Sequence, residues 1–270
     1  MNQTKFVVAG AVVLLGAIVF SGQSSGPAPS ANDTASASVG GTLRIGVGSG
    51  EPAYYKTDGV TKGFDYQMAR SVAEGMGVDP EFVEMEFRQL YPALRSGKID
   101  MIGAQVTKTP EGEREFDFST PYFVTYVSFL AAEGSSIRSR RDVDGKNVAV
   151  VDGTIHERFL EEQYEDVNII RARDAAAAVG SLGRGEVDAF FYGAPYAASI
   201  LKRAPIRLAQ PIVYQAEEAP IAFVVREGDP RKERIDRVIE DMVVNGEWLK
   251  IKTDYFEADP LSEVFREKGV

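Results

Sequence analysis

The sequence predicts an α/β protein of two lobes, each a mainly parallel sheet flanked by helices, with two crossings of the chain between the lobes. Three observations predict this fold. Strand patterns alternate with helix patterns, as in βα units. A junction of helix end, glycine and strand start occurs at 93–101 and again at 181–189. The last strand and helices are too few to build a core of their own.

The first strand is predicted at Thr42–Val47, where apolar and polar residues alternate as they do in a strand with one buried face. A helix is predicted to begin at Phe64 and to end at Met76, because apolar residues recur there at helical spacing. Gly77 follows at the position where glycine commonly stops a helix. This first strand and helix form the first βα unit.

The repeated junction indicates internal duplication. Four residues of each copy match in type and order, Leu94, Gly97, Ile99 and Asp100 in the first and Leu182, Gly185, Val187 and Asp188 in the second. The repeat is too long and too rare for a solenoid. We interpret it as two similar α/β lobes, and a chance match between common helix–glycine–strand junctions is the alternative.

The end of the chain predicts one more strand, at Ile221–Val225, and a helix that starts near Asp229. The helix has these apolar positions: Ile235, Val238, Ile239 and Met242–Val244. Since this tail is too small for a third core, we expect it to pack against the first lobe.

The lobe boundaries follow from this arrangement. Lobe 1 is predicted at 42–123 plus 221–270, and lobe 2 at 124–220. Two crossings between lobes form a hinge, and a cleft between hinged lobes is a preferred small-molecule site.

Composition excludes several functions. The chain of 270 residues has no cysteine, which removes disulfides, thiolate zinc sites and cysteine nucleophiles. Its one histidine, His156, excludes a multi-histidine metal site, and a surface or capping role near a helix start is expected for it. The formal charge of −10 repels phosphate backbones, so nucleic-acid binding is not expected. We expect no cofactor.

The first 41 residues read as a signal peptide and a flexible spacer. A short basic start precedes the apolar run at 6–20, and a segment rich in serine, glycine, alanine and proline follows. An uncleaved membrane anchor is the alternative. The mature chain is therefore predicted to be periplasmic or otherwise extracytoplasmic.

Several motifs occur in a fixed order along the mature chain. They are Gly63-Phe64-Asp65, Ser96-Gly97-Lys98-Ile99-Asp100, Thr109-Pro110-Glu111, Phe116-Asp117-Phe118-Ser119, Gly153-Thr154 and Gly185-Glu186-Val187-Asp188-Ala189. In this order the chain resembles the extracytoplasmic solute-binding proteins of family 3, the amino-acid-type receptors of ABC importers. The resemblance implies a type II periplasmic-binding-protein fold that closes on a solute and delivers it to a membrane permease.

Three positions that bind the ligand in this family differ here. Gly112 stands where the family has the arginine that clamps the ligand's α-carboxylate, and Gly193 where it has the aspartate that holds the ammonium. Ile155 replaces a hydroxyl residue. Arg114 or Lys108, or water, remains an alternative partner for a carboxylate. Binding of free α-amino acids by the usual contacts is therefore not expected.

The remaining candidate residues are predicted to line the cleft. Thr107 and Thr109 alternate with Lys108, so in an extended segment both hydroxyls face one side. The full set of candidates is Glu51, Tyr54, Tyr55, Phe82, Thr107, Thr109, Gly112, Asp152, Thr154, Tyr192 and Gly193. Carboxylates and aromatic faces without an arginine suit a cation that lacks a carboxylate, and an uncharged or aromatic solute is the alternative.

The predicted function is solute binding for an ABC-type importer, by a monomer that is not an enzyme. Its partners are a small-molecule solute and a membrane permease. A scaffold without a ligand that binds a protein partner, and a dehydratase-type enzyme on the same fold, are the alternatives.

Overall fold

The computed structural model describes residues 41–203, 207, 212–213 and 219–256. The predicted signal peptide and all of the spacer but Gly41 lie outside the described residues, as does the chain from residue 257. Within the described part, no helix combines the length and the apolar character needed to cross a membrane.

Strands and helices alternate along most of the described chain. The strands are β1 (Thr42–Val47), β2 (Tyr55–Thr57), β3 (Val60–Lys62), β4 (Asp79–Glu84), β5 (Met101–Ile102), β6 (Phe116–Phe118), β7 (Phe123–Thr125), β8 (Val127–Ala131), β9 (Asn147–Val151), β10 (Asn168–Ala172), β11 (Ala189–Gly193), β12 (Ile212–Val213), β13 (Ala219–Ile221) and β14 (Val224–Arg226). The α-helices are α1 (Phe64–Gly75), α2 (Phe87–Arg95), α3 (Ile155–Gln163), α4 (Ala175–Gly183), α5 (Ala194–Arg203), α6 (Arg231–Asn245) and α7 (Glu247–Tyr255). The predicted strand Thr42–Val47 is confirmed, and the predicted first helix is confirmed to within one residue at its end.

Two five-stranded sheets of the same design form the centres of the two lobes. The first sheet has the order β4-β1-β5-β14-β6, and the second has the order β10-β9-β11-β8-β12. In each sheet four strands run in one direction, and β14 or β8 runs against them. The predicted α/β fold with two mainly parallel sheets is therefore confirmed.

The first strand shows how the alternating sequence sets the layers. Leu43, Ile45 and Val47 are buried in one core together with residues of α1. Gly46 faces the opposite side, where a Cβ would lie 2.8 Å from Leu90 Cδ2 of α2. Glycine at this position allows α2 to pack close to the sheet, so helices cover both faces of β1.

The repeated junction has the same backbone in both lobes. In each copy a helix ends and a glycine in the left-handed region follows, with φ of 72° at Gly97 and 71° at Gly185. This region is open to glycine at little cost, whereas a side chain with a Cβ is strained there. The next strand of the sheet begins a few residues later in both copies.

An aspartate completes each copy of the junction. Asp100 Oδ2 accepts a hydrogen bond from the backbone N–H of Arg44 in β1 (3.1 Å), and Asp188 Oδ2 accepts one from the backbone N–H of Asn147 in β9 (2.8 Å). In return, the N–H groups of the two aspartates donate to the carbonyls of the same partners. The repeat in the sequence is therefore a structural repeat, and not a chance match.

Asp100 has additional partners that Asp188 lacks in the described structure. Its carboxylate accepts from Arg44 Nε (2.8 Å), lies 3.1 Å from Arg231 Nη1 and lies 3.4 Å from Arg226 Nη2. Burial alone would raise the pKa of Asp100, but the hydrogen bonds from Arg44 and Arg231 outweigh it and hold the pKa well below its usual range. The cluster joins β1, β5, β14 and α6.

The chain crosses between the two sheets in two strands that lie side by side. β7 leads from β6 to β8, and β13 leads back to β14. The two pair antiparallel, with Phe123 opposite Ile221 and Thr125 opposite Ala219. The single strand predicted at Ile221–Val225 is wrong in this respect, because the chain leaves the pairing with β7 after Ile221 and joins the first sheet at Val224.

The last two helices, α6 and α7, pack against α1. Ile235, Ile239 and Met242 of α6 are buried. Val243 and Val244, which are also apolar positions of this helix, are 55% and 88% exposed. They fall outside the buried stripe because that stripe follows the helical period rather than every apolar residue.

Candidate functional site

A cavity of about 90 Å³ lies between the two sheets. Many of its lining residues lie at or just after the carboxyl ends of strands, which are β1 and β5 in the first sheet and β9, β10 and β11 in the second. A water molecule needs about 10–15 Å³, so this cavity has room for several waters or a small solute. Ligands of open α/β sheets bind at this end of the strands.

Five of the residues predicted from the sequence line this cavity: Thr107, Thr109, Thr154, Tyr192 and Gly193. The Thr154 hydroxyl also caps α3, because it accepts from the Glu157 N–H (3.4 Å) and donates to the Val151 carbonyl (2.7 Å). Thr154 therefore positions the helix as well as the cavity wall.

Three of the predicted aromatic residues do not line the cavity. Tyr54 is buried and packs against Tyr66 and Phe82, with ring centroids 6.1 Å apart in both pairs. Tyr55 is half-buried in β2 and packs against the same core. These rings pack in the layer around β4 and α1. The core of the protein covers them, so their burial does not require a ligand.

The two predicted carboxylates also lie elsewhere. Glu51 is half-buried after β1 and does not line the cavity, whereas Ser49, two residues earlier, does. Asp152 Oδ2 pairs with Arg88 Nη1 at 2.9 Å, so this carboxylate joins the end of β9 to the start of α2. The cation hypothesis thus loses both carboxylates on which it was based.

The two glycines at the altered family positions differ in location. Gly193 ends β11 in the cavity wall, and a Cβ there would lie 2.6 Å from Thr125 Oγ1. Gly112 begins a 3-10 turn beside an open groove between α2 and α3, and a Cβ there would lie 2.8 Å from Phe118 Cζ. Neighbouring side chains thus occupy the space next to both glycines.

The alternative carboxylate partners named from the sequence lie away from the cavity. Lys108 Nζ pairs with Glu113 Oε1 at 2.8 Å, and Arg114 is exposed at the end of the 3-10 turn. Neither residue lines the cavity in the described structure.

The cavity wall carries few charges. Among the described lining residues, the arginine and carboxylate side chains are those of Arg173 and Asp174, which pair with each other at 3.2 Å. The Arg173 side chain is 71% exposed, which places it at the rim. Burial lowers the pKa of His156 to about 4, so its imidazole is neutral near pH 7. Hydroxyl, amide, aromatic and aliphatic groups form the rest of the wall.

A buried carboxylate supports the cavity from behind. Asp65, in the first turn of α1, accepts hydrogen bonds from the Tyr122 hydroxyl (2.5 Å) and from the Gln105 N–H (3.1 Å). Gln105 lines the cavity with φ at 56°, a conformation that the bond to Asp65 helps to hold. Burial raises the pKa of Asp65 to about 6, although both hydrogen bonds oppose this.

Replacing Asp65 by asparagine is expected to change the pH dependence of stability. Because the folded pKa of Asp65 lies above the unfolded value near 3.9, its ionisation costs folding free energy as pH rises from about 4 to 6. At about 1.4 kcal/mol per pKa unit, the wild type should lose on the order of 3 kcal/mol relative to Asp65→Asn across this window. Urea unfolding of both proteins at pH 4, 5, 6 and 7 measures the difference.

The comparison removes the effect of His156, which both proteins share. The lowered pKa of His156 gives a slope of opposite sign, because stability there is lost as pH falls from about 6.5 towards 4. A difference between the two proteins that stays constant from pH 4 to 7 would show that Asp65 does not titrate in this range.

Contacts across the cavity join the two lobes. The Tyr192 hydroxyl at the end of β11 donates to Gln105 Oε1 at 2.6 Å, and the Arg88–Asp152 pair forms a second link. At a third point, a Cβ on Gly50 would lie 2.7 Å from the Cβ of Ala175. The two lobes are therefore in contact around the cavity in the described structure.

Several residues of the wall were not predicted from the sequence. His156 was expected at the surface. That prediction is wrong, because the residue is buried, with 8% of its surface exposed. Phe87 and Tyr91 are one helical turn apart on α2, and that aromatic spacing is a signal that could have been used. The left-handed backbone of Gln105 gives no comparable signal in the sequence.

Comparison with known proteins identifies the family. The sequence profile of "Bacterial extracellular solute-binding proteins, family 3" matches residues 43–258. The "Probable amino-acid-binding protein YxeM" of Bacillus subtilis (strain 168) is 28% identical over 265 residues, which cover 96% of this chain and 97% of that protein.

Two solved structures show the same architecture. "An ancestral arginine-binding protein bound to glutamine" has a TM-score of 0.76 and 31% identity, and the match covers 81% of this chain and 99% of that one. The "ancestral amino acid-binding protein AncCDT-1, a precursor of cyclohexadienyl dehydratase" has a TM-score of 0.73 and 29% identity, covering 80% and 96%. The profile match spans well over half of the chain, and the fold and cavity agree with it. The chain therefore belongs to the bacterial extracellular solute-binding proteins of family 3.

Proposed function

We propose that this protein is the extracytoplasmic solute-binding component of an ABC-type importer and acts without catalysis. Lobe 1 (42–123 plus 221–270) and lobe 2 (124–220) would close over one small solute and present it to a membrane permease. The observation that carries the proposal is the cavity between the two sheets, which side chains of both lobes line. Residues 1–41 would direct export, and the mature protein would act as a monomer.

The walls favour an uncharged or weakly charged solute. The family's two charged contacts are replaced by Gly112 and Gly193, and Glu51 and Asp152 lie outside the cavity. A buried carboxylate or ammonium group needs a charged or well-placed polar partner to replace its lost hydration. Thr107, with the aromatic rings of the wall, instead offers hydrogen bonds and apolar contact.

Thermal unfolding with a panel of solutes tests this function. The panel contains amino acids, amines, quaternary amines and neutral aromatic compounds. A bound solute at one hundred times its dissociation constant adds about 2.7 kcal/mol to stability. For a protein of this size that corresponds to a rise of roughly 5–10 °C in Tm. We expect this rise with a neutral member of the panel, together with a smaller radius of gyration in X-ray scattering.

A matched pair of variants locates the binding. Thr107→Val removes a hydroxyl in the cavity wall, and Thr61→Val makes the same change on β3, outside it. The first variant should lose roughly a third to a half of the solute-induced shift, as one lost hydrogen bond predicts, and the second should keep it. No shift with any compound would favour the scaffold alternative, and turnover of a prephenate-like acid would favour the dehydratase.

A further inference from the structure

His156 combines burial with a lack of protein partners. It lies in the first turn of α3, is 8% exposed and lines the cavity. Its ring packs edge-on against Phe191 and at a tilt against Tyr192, with centroids 5.9 and 5.6 Å away. Neither Nδ1 nor Nε2 has a hydrogen-bond partner among the described residues.

Two unpaired ring nitrogens in a buried position call for a physical reason. Buried polar side-chain atoms in native proteins nearly always have a partner, so an exception points to strain, to function or to a missing ligand. A histidine that served packing alone gains nothing from its nitrogens, because phenylalanine would fill the same space without the desolvation penalty. The position of His156 in the cavity wall favours a ligand.

We propose that His156 contacts the solute and recognises an uncharged group that both donates and accepts a hydrogen bond, such as a carboxamide or a hydroxyl. This inference rests on the proposed function and specifies its solute. A neutral imidazole carries one donor and one acceptor, which match those two roles. The absence of a neighbouring fixed charge in the described wall, apart from the Arg173–Asp174 pair at the rim, fits the same class of solute.

Two variants separate recognition from packing. His156→Phe keeps a ring against Phe191 and Tyr192 but removes both nitrogens, and His156→Gln restores one donor and one acceptor. Without solute, His156→Phe should unfold at the same temperature as the wild type or higher, since it breaks no hydrogen bond within the described protein. A histidine that stabilised the fold through a hydrogen bond would instead make His156→Phe unfold at a lower temperature than the wild type.

Matched probes test the chemistry. They are benzamide with benzoate and nicotinamide with nicotinate, which pair a neutral carboxamide with a carboxylate of similar shape. Calorimetry should show that the wild type binds at least one carboxamide, and at least tenfold more tightly than its carboxylate twin. His156→Phe should weaken that binding by about ten- to a hundredfold, as expected for two lost hydrogen bonds. His156→Gln should recover most of it.

The sole histidine gives an independent readout. Because the sequence contains one histidine, the imidazole proton resonances in NMR belong to His156 alone in an untagged protein. They should shift when the bound carboxamide is added. Carboxamide binding that is unchanged in His156→Phe, or lower stability of that variant without solute, would overturn this inference alone. Absence of binding by the wild type to any probe here or in the wider solute panel would overturn the proposed function as well.

Discussion

Asp100→Asn is expected to lower the free energy of unfolding by about 3 kcal/mol. The Asp100 side chain is 8% exposed and lies within 3.4 Å of the guanidinium groups of Arg44, Arg226 and Arg231. Hydrogen bonds to charged groups contribute about 1.5–3 kcal/mol each, and removing the charge leaves the arginines without their shared partner. The exposed portions of those arginines limit the loss, because water replaces part of it.

The second lobe supplies the control. Asp188 occupies the equivalent place, but its carboxylate accepts a hydrogen bond from the backbone of Asn147 and forms no ion pair with an arginine of the described structure. Asp188→Asn should therefore cost about 1 kcal/mol. Urea unfolding of both variants measures the two values. Equal losses would mean that the arginine cluster adds nothing to the shared junction.

Gly153→Ala is expected to weaken solute binding at least tenfold by holding the lobes apart. Gly153 has φ at 79°, and a Cβ there would lie 2.9 Å from Arg88 Cβ and 3.3 Å from Arg88 Cα in the other lobe. These atoms belong to α2 and cannot swing away as the end of a long side chain would. The clash exists in the closed arrangement, so it opposes closure on the solute rather than folding of either lobe.

Gly145→Ala is the matched control for backbone strain. Gly145 has φ at 71° in the same lobe, and a Cβ there would meet no atom within 4 Å in the described structure. Both variants should lose about 1–2 kcal/mol of stability from the left-handed conformation. The affinity for the compound that best stabilises the wild type should fall in Gly153→Ala alone. Arg88→Gly removes the opposing Cβ but also the Arg88–Asp152 pair, so the double variant is compared with Arg88→Gly alone. Gly153→Ala should cost less affinity in that background than in the wild type, and an equal cost would point to direct contact between the added methyl group and the solute.

Local patterns in the sequence were sufficient for the fold. The alternation at Thr42–Val47 and the helical spacing from Phe64 report burial on one face, and that property depends on neighbouring residues alone. The repeated junction at Asp100 and Asp188 was visible because the same local geometry recurs. Such features can be recognised in a sequence without knowledge of the tertiary structure.

The cavity wall was predictable in part. Thr107 and Thr109 were found because alternation places them on one side of an extended segment, with Lys108 on the other. Tyr54 and Phe82 were placed wrongly because an aromatic pattern predicts burial but not the partner that covers the ring. His156 was missed because its burial depends on how α3 packs against β11. The residues of these two elements are far apart in the sequence, so no short segment of it predicts their contact.

The position of β14 has a consequence for how the protein is made. This strand comes from near the end of the chain yet lies between β5 and β6, and β6 pairs with no other strand of its sheet in the described structure. As the ribosome releases the polypeptide from its amino end, the second sheet can assemble first, since its strands are contiguous from β8 to β12. β5 and β6 would therefore wait for the strand that lies between them until residues 224–226 have emerged, so the sheet of the first lobe would be completed after the sheet of the second.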